Sequence, residues 1–308
     1  MKKILVISIL AIVLLSVSFT SISALNPENE LKLNDKIKSL EKKIKELLAD
    51  NTKLKAENTK LKAENSQSKP KQILVPKPGT TWNWQLDTPV VTSHILDMYD
   101  IDLFDNDASI VKIIHSKGAK AICYISVGAW EDWRPDAKTF PSSIKGNDYD
   151  GWAGEKWLDI RKLDLLGPII EKRLELCKQK GFDGVEPDNI DAYTNDSGFP
   201  LTYDDQLKFN IWLANKAHER GLSIGLKNDD EQVKDLIKYF DWALTEDCFV
   251  DEFCREFEPF IKNGKAVFQA EYTDTNVTTD EFCPQSKTLQ FSGILKDREL
   301  DATFTSCS

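Results

Sequence analysis

Three patterns of apolar positions succeed one another along the 308 residues. An unbroken apolar run from Ile4 to about Phe19 follows Lys2 and Lys3 and precedes the small residues Ser21, Ser23 and Ala24. This is the layout of a secretory signal over residues 1–24, and the run is long enough to leave an uncleaved membrane anchor open. A seven-residue period then takes over. Leu33, Leu40, Leu47, Leu54 and Leu61 hold one position of the heptad, and Ile37, Ile44, Asn51, Asn58 and Asn65 the other. Ile or Asn at a with Leu at d favours a parallel dimer in which the buried Asn fix register at a cost in stability. Residues 25–65 therefore read as a coiled-coil stalk able to pair two chains, the alternative being a solvated helical spacer. Residues 66–78, with three prolines, read as a linker.

From residue 79 onward, short β-rich runs alternate with amphipathic helical patterns. That alternation predicts βαβ units and a parallel sheet, hence an α/β fold of the (β/α)8 TIM-barrel type over residues 79–308. Eight strands are expected: Trp82 to Leu86, Ile95 to Tyr99, Ala119 to Ser126, Trp157 to Ile160, Asp183 to Pro187, Ser223 to Lys227, Trp242 to Glu246, and Ala266 to Glu271. The clearest helices are Leu165 to Lys180, Tyr203 to Arg220 and Glu231 to Tyr239.

Composition changes at the same place. All eight Trp and all seven Tyr lie beyond residue 71, so the core belongs to the C-terminal segment. The first 71 residues carry 14 of the 40 Lys and Arg but 8 of the 50 Asp and Glu, leaving 26 basic against 42 acidic residues downstream, a net of -16. Such a domain lacks the basic footprint that nucleic acid requires and suits neutral or cationic ligands. Six cysteines in an exported chain point to disulfides. Cys248 and Cys254, six apart around an expected turn, are the best candidate pair, whereas Cys123, inside an apolar strand pattern, reads as a buried thiol.

In a barrel of this type the chemistry sits at the C-terminal ends of the strands, so the polar residues there carry the information. Asp100 and Asp102 follow the second strand, Glu186 and Asp188 end the fifth, Lys227 and Asn228 close the sixth, Glu246 and Asp247 end the seventh, and Glu271 ends the eighth. Three histidines, two of them in helical patterns, are too few for a zinc site of several His ligands and supply no Ser-His pair at the rim. Phosphate-binding glycine loops are absent, and nothing calls for a metal or cofactor. Carboxylate chemistry remains: two acids across a sugar ring can divide proton donation from attack. Trp82, Trp84, Tyr124, Trp130, Trp133, Trp152, Tyr193 and Tyr272, in or just after strands, could stack on sugar rings.

The strings WNWQL (82–86), YDIDLFD (99–105), ICYISVG (122–128), WAGEKWLDIR (152–161), GFDGVEPDNIDAY (181–193), GLSIGLKN (221–228) and ALTEDC (243–248), with Glu271 and Tyr272 after them, resemble in order the blocks of glycoside hydrolase family 114. The resemblance covers residues 80–275. It implies a (β/α)8 barrel and endo-acting hydrolysis of α-1,4-linked polygalactosamine, with Asp188 and Glu246 as the catalytic carboxylates. Where the family more often has Gln between Glu and Cys, this chain has Asp247, which either raises Glu246 by like-charge repulsion or points to solvent. Asp188, flanked by Asn189 and near Lys227, is read as nucleophile or base and Glu246 as general acid, the reverse assignment staying open. The expected substrate-binding set is Trp82, Trp84, Asp102, Tyr124, Asp191, Tyr193, Lys227, Asn228, Glu271 and Tyr272. A polysaccharide is the expected partner. Two rival readings are a non-catalytic glycan-binding barrel displayed on a dimeric stalk and a glycosidase for another α-linked amino-sugar or galactoside chain.

Overall fold

The structure, a computed structural model, describes residues 27–67 and 73–307. The expected signal segment lies outside the described residues. Residues 1–70 and 71–308 form separate units. In the first, a single helix α1 covers Pro27–Gln67. Its heptad leucines Leu33, Leu40 and Leu47 are exposed, as is Ile44. Among the described residues no helix is long and apolar enough to cross a membrane.

In the second unit, strands β1 (Trp82–Gln85), β2 (Met98–Asp102) and β3 (Lys120–Ser126) begin a parallel sheet. A separate antiparallel sheet of β4 (Ala129–Glu131), β5 (Lys145–Asp148) and β6 (Glu155–Leu158) interrupts it. The parallel order then resumes with β7 (Gly184–Asp188), β8 (Ser223–Lys227), β9 (Trp242–Glu246), β10 (Val267–Tyr272) and β11 (Ser292–Lys296), and β12 (Phe304–Ser306) adds an antiparallel edge. Helices α2 (Ala108–Ser116), α3 (Leu163–Lys180), α4 (Tyr203–His218), α5 (Val233–Leu236), α6 (Glu258–Lys262) and α7 (Thr279–Leu289) each precede a parallel strand from β3 to β11. Thr202 opens α4 with a capping box, its hydroxyl accepting from the Asp205 N–H while the Asp205 carboxylate accepts from the Thr202 N–H.

Eight parallel strands were expected and eight are present, but the membership differs. Trp157 to Ile160, expected in the barrel, lies outside it. Its residues pair antiparallel with β4 and β5 instead, and the eighth barrel strand is Ser292–Lys296. Asp188, Glu246 and Glu271 consequently belong to the fourth, sixth and seventh barrel strands. The second strand also runs three residues later than expected, so Asp100 and Asp102 lie within it.

Strand register sorts the side chains onto two faces. Trp84, Asp100 and Ile122 are neighbours across the first strands, then Tyr124 and Glu186, then Ser126 and Asp188. On later strands Gly225 sits beside Trp242 and Ala270 beside Glu246. These residues share the interior face, where Trp82, Trp84, Trp242, Phe268 and Tyr272 form one apolar cluster. A side chain at Gly225 would meet the Trp242 ring at 2.4 Å, so only glycine lets that indole fill the interior. The alternate residues, including Ile101, Ile125, Val185 and Leu226, pack outward with Leu174, Phe209 and Leu213 of the helices. Burial on both faces is what a parallel sheet requires. Near the seam between first and eighth strands, the Trp82 Nε1–H donates to the Ser292 carbonyl at 2.8 Å.

Three disulfides tie this unit: Cys123–Cys177, Cys248–Cys254 and Cys283–Cys307. Cys123 is thus not the buried free thiol expected. It lies on the outward face of β3, where α3 brings Cys177 within a Cα separation of 6.0 Å.

Candidate active site

A cleft of about 900 Å3 opens over the C-terminal ends of the strands. At its centre is Lys227, the last residue of β8 and 2% exposed. Its Nζ lies 2.8 Å from Asp188 Oδ1, 3.0 Å from Glu246 Oε2 and 3.1 Å from Glu186 Oε1. Burial opposes the lysine charge, but Asp188, Glu186 and Glu246 outweigh it and raise Lys227 well above the usual lysine range. The ammonium also lies 4.4 Å from the centre of the Trp84 ring, which lines the cleft.

Each outer carboxylate has its own donors. Asp188 accepts from the Tyr124 hydroxyl at 2.8 Å and from the Asn189 N–H at 3.0 Å. Glu246 accepts from the Tyr272 hydroxyl at 2.5 Å and from Asn228 Nδ2 at 3.1 Å, while Asn228 Oδ1 accepts from the Glu246 N–H. Burial, then the adjacent carboxylates, pushes both phenols well above the usual tyrosine range, so they remain donors.

The backbone at these strand ends follows one plan. Asn189, Asn228 and Asp247, each directly after a strand's last acid or lysine, take φ of 62°, 48° and 51°. This left-handed turn suits Asn and Asp and sends the chain away from the rim, leaving the preceding side chain in the cleft. Gly128 permits the turn before β4 to approach that corner, because a Cβ there would fall 1.6 Å from the Asn189 carbonyl oxygen.

The expected binding residues divide cleanly. Trp84, Asp102, Tyr124, Asp191, Lys227, Asn228 and Tyr272 line the cleft with Asp188 and Glu246. Asp102 is held by Arg134 at 2.7 Å. Burial and then Asp188 push Asp191 up to about 6. Trp82, Tyr193 and Glu271 are not among the lining residues. Trp82 is near the opposite end of the barrel, lining a small cavity with Gly79 and Phe291. Tyr193 donates to Glu231 and packs edge-on against Tyr203. Glu271 is buried beside the Cys248–Cys254 disulfide, accepting from the Phe249 N–H at 2.9 Å. Asp100, expected at an acidic rim, is fully buried below Lys227's layer with neither oxygen hydrogen-bonded among the described residues. Asp247 neither points to solvent nor stands alone against Glu246: Arg298 pairs with it at 2.9 Å and lies 4.0 Å from the Tyr272 ring centre.

Other lining residues were outside the expected set. Tyr149 and Glu155 come from the three-stranded sheet and its connections, as do the half-exposed Trp133 and Trp152. The two tryptophans belong to the aromatics that the sequence offers for stacking on sugar rings.

A sequence profile described as glycoside-hydrolase family GH114 matches residues 62–308. The fold is similar to Ega3 of Aspergillus fumigatus, solved in complex with galactosamine, with a TM-score of 0.73 and 38% identity over 76% of this chain and 97% of that one. It is also similar in fold to the glycoside hydrolase domain of PelA from Pseudomonas aeruginosa, at a TM-score of 0.58 and 13% identity over 75% of this chain and 99% of that one. Among curated proteins, none matches.

Proposed function

Because the chain belongs to glycoside-hydrolase family GH114, we propose that it cleaves α-1,4-linked galactosamine polymers internally, with Asp188 as nucleophile and Glu246 as general acid and base. The observation that carries the mechanism is the shared contact with Lys227. With Nζ 2.8 Å from one carboxylate oxygen and 3.0 Å from the other, those oxygens stand less than about 6 Å apart, which is compatible with the 5 to 5.5 Å of retaining glycosidases and short of the 6.5 to 9.5 Å that admits a water.

Asp188, paired with Lys227 and accepting from the Tyr124 hydroxyl and the Asn189 N–H, attacks the anomeric carbon as the glycosidic C–O bond breaks. Glu246, acting as general acid, gives a proton to the departing oxygen. Water then donates a proton to Glu246 and its oxygen displaces Asp188, returning both groups to their starting forms and retaining configuration. Both half-reactions balance on two carboxyl groups and one water.

The galactosamine bound by Ega3 supports the choice of sugar, and the acidity of the cleft favours a polymer carrying ammonium groups. The three disulfides support action outside the cell. The exposed heptad leucines of α1 support pairing of two chains through the stalk.

The test is incubation with partially deacetylated galactosaminogalactan, following new reducing ends and the anomer first formed. Turnover with retained α configuration is expected, and Asp188→Asn and Glu246→Gln should each abolish it. A variant keeping more than a tenth of the wild-type rate removes its residue from the pair.

A further inference from the structure

Nearly every carboxylate deep in the cleft is already answered by a protein cation. Asp188 and Glu246 share Lys227, Asp102 has Arg134, Glu131 has Arg134 at 2.7 Å, and Asp247 has Arg298. Glu155 differs. It is 7% exposed, lines the cleft, and its side chain makes no hydrogen bond or ion pair with another described residue. It opens β6 opposite Glu131 of β4, so a second carboxylate, not a cation, is its cross-strand neighbour.

A nine-tenths buried carboxylate without a partner is unfavourable as an anion. Burial first, then Asp188, pushes Glu155 up to about 8. A cationic ligand reverses the situation, because an ammonium brings three donors and a compact charge to the unanswered oxygens. Position narrows the ligand further. The Asp188 carbonyl accepts from the Gly128 N–H and the Gly128 carbonyl from the Leu158 N–H of β6, so the strand that Glu155 opens is tied to the corner carrying Asp188, and on a sugar attacked at C1 the atom bonded to C1 that bears the amine is C2. A carboxylate that lines the same cleft from a strand tied to the nucleophile's corner is therefore placed for the 2-ammonium of the very unit being cleaved.

We infer that Glu155 selects an amino sugar over its N-acetylated form by pairing with the 2-ammonium of the unit at Asp188. This rests on the galactosamine reading above. An acetamide brings a single N–H and no charge, so it leaves the buried carboxylate unanswered and adds bulk at the same place.

Glu155→Gln in the full chain tests the inference. Kinetics on a deacetylated α-1,4-galactosamine oligomer give kcat and KM, and inhibition by the N-acetylated oligomer of equal length gives its affinity. A KM rise of roughly 30-fold or more is expected on the deacetylated oligomer, the scale for removing one partner of a buried charge pair. The change in kcat should be small, the acetylated oligomer should bind as well as before or better, and thermal stability at pH 8 should not fall. An unchanged KM, an equal loss of affinity for both oligomers, or failure of the variant to fold overturns the assignment and makes Glu155 a shaping residue. Wild-type enzyme that leaves the deacetylated oligomer intact refutes the substrate reading and this inference with it, whereas wild-type turnover with an indifferent variant refutes the inference alone.

Discussion

Lys227 Nζ lies 3.1 Å from Glu186 Oε1 in the barrel interior, with the lysine 2% exposed and the glutamate 0%. Below the two outer acids, Glu186 therefore fixes the lysine from underneath. Burial raises Glu186 to about 8, Lys227 opposing the shift and Asp188 adding to it. Lys227→Met leaves three acids facing one another without a cation. It should cost about 3 to 5 kcal/mol of stability, measured by denaturant unfolding, and at least about 100-fold in turnover as the electrostatic support of Asp188 is lost.

Tyr272→Phe removes the donor to Glu246 Oε1 while keeping the ring under Arg298. A hydrogen bond to a charged group contributes about 1.5 to 3 kcal/mol, so kcat/KM should fall about 10- to 100-fold with little change in melting temperature. A variant with wild-type kinetics would show that the phenol does not support the acid.

Stability should decline from mildly acidic to alkaline pH, and Asp229 should contribute to the decline. Burial, then Asp191, raises it to about 9, against an unfolded value near 4. Below the unfolded value both states hold the proton and burial carries no charge penalty. As pH rises, the unfolded chain releases the proton first, so folding loses ground until about pH 9. Asp229→Asn keeps an acceptor for Asn210 and should stabilise the protein by roughly 1 kcal/mol or more at pH 8, with no gain at pH 4. Equal melting shifts at both pH values would contradict the sign.

Removing Cys123–Cys177 should be more damaging than removing Cys248–Cys254. The first closes 54 residues and the second 6, and longer closed loops restrict the unfolded chain more. Replacing both members of the first pair by Ala should cost about 2 to 5 kcal/mol, read from unfolding curves of the two double variants side by side.

The stalk carries a separate expectation. Leu40→Lys with Leu47→Lys puts charge on the exposed heptad stripe of α1, so the full chain should change from dimer to monomer in sedimentation. Monomeric wild type would leave the helix as a spacer.

What the sequence disclosed, and where it fell short, can be traced residue by residue. Asp188, Lys227 and Glu246 end compact apolar runs, and a strand's end is a local property that the pattern exposes. Facing direction needs exact register. Glu271 and Tyr272 are adjacent, yet one step of the pleat turns Glu271 toward Phe249 and Tyr272 into the cleft. Trp82 and Trp84 share a face, but two residues at about 3.3 Å each separate the lower interior from the cleft floor. Ser292–Lys296 went unread because Ser292 and Lys296 sit on its interior face and only Ile294 and Leu295 mark it as apolar. Trp157 alternates as a barrel residue would. Its antiparallel partner Ala129, and Lys145 opposite Leu158, lie too far along the chain for a local pattern to reveal, and Glu155 and Tyr149 reach the cleft only through that pairing.

The acids and their lysine stand on the wall of the cylinder, whereas Trp133, Tyr149, Trp152 and Glu155 come from residues 127–162, between its third and fourth staves. On the proposed reading, part of sugar recognition is thus carried by a different stretch of chain from bond cleavage. Such a segment can be exchanged like a cassette, so new sugar preferences are open to engineering or drift while the cutting machinery stays where it is.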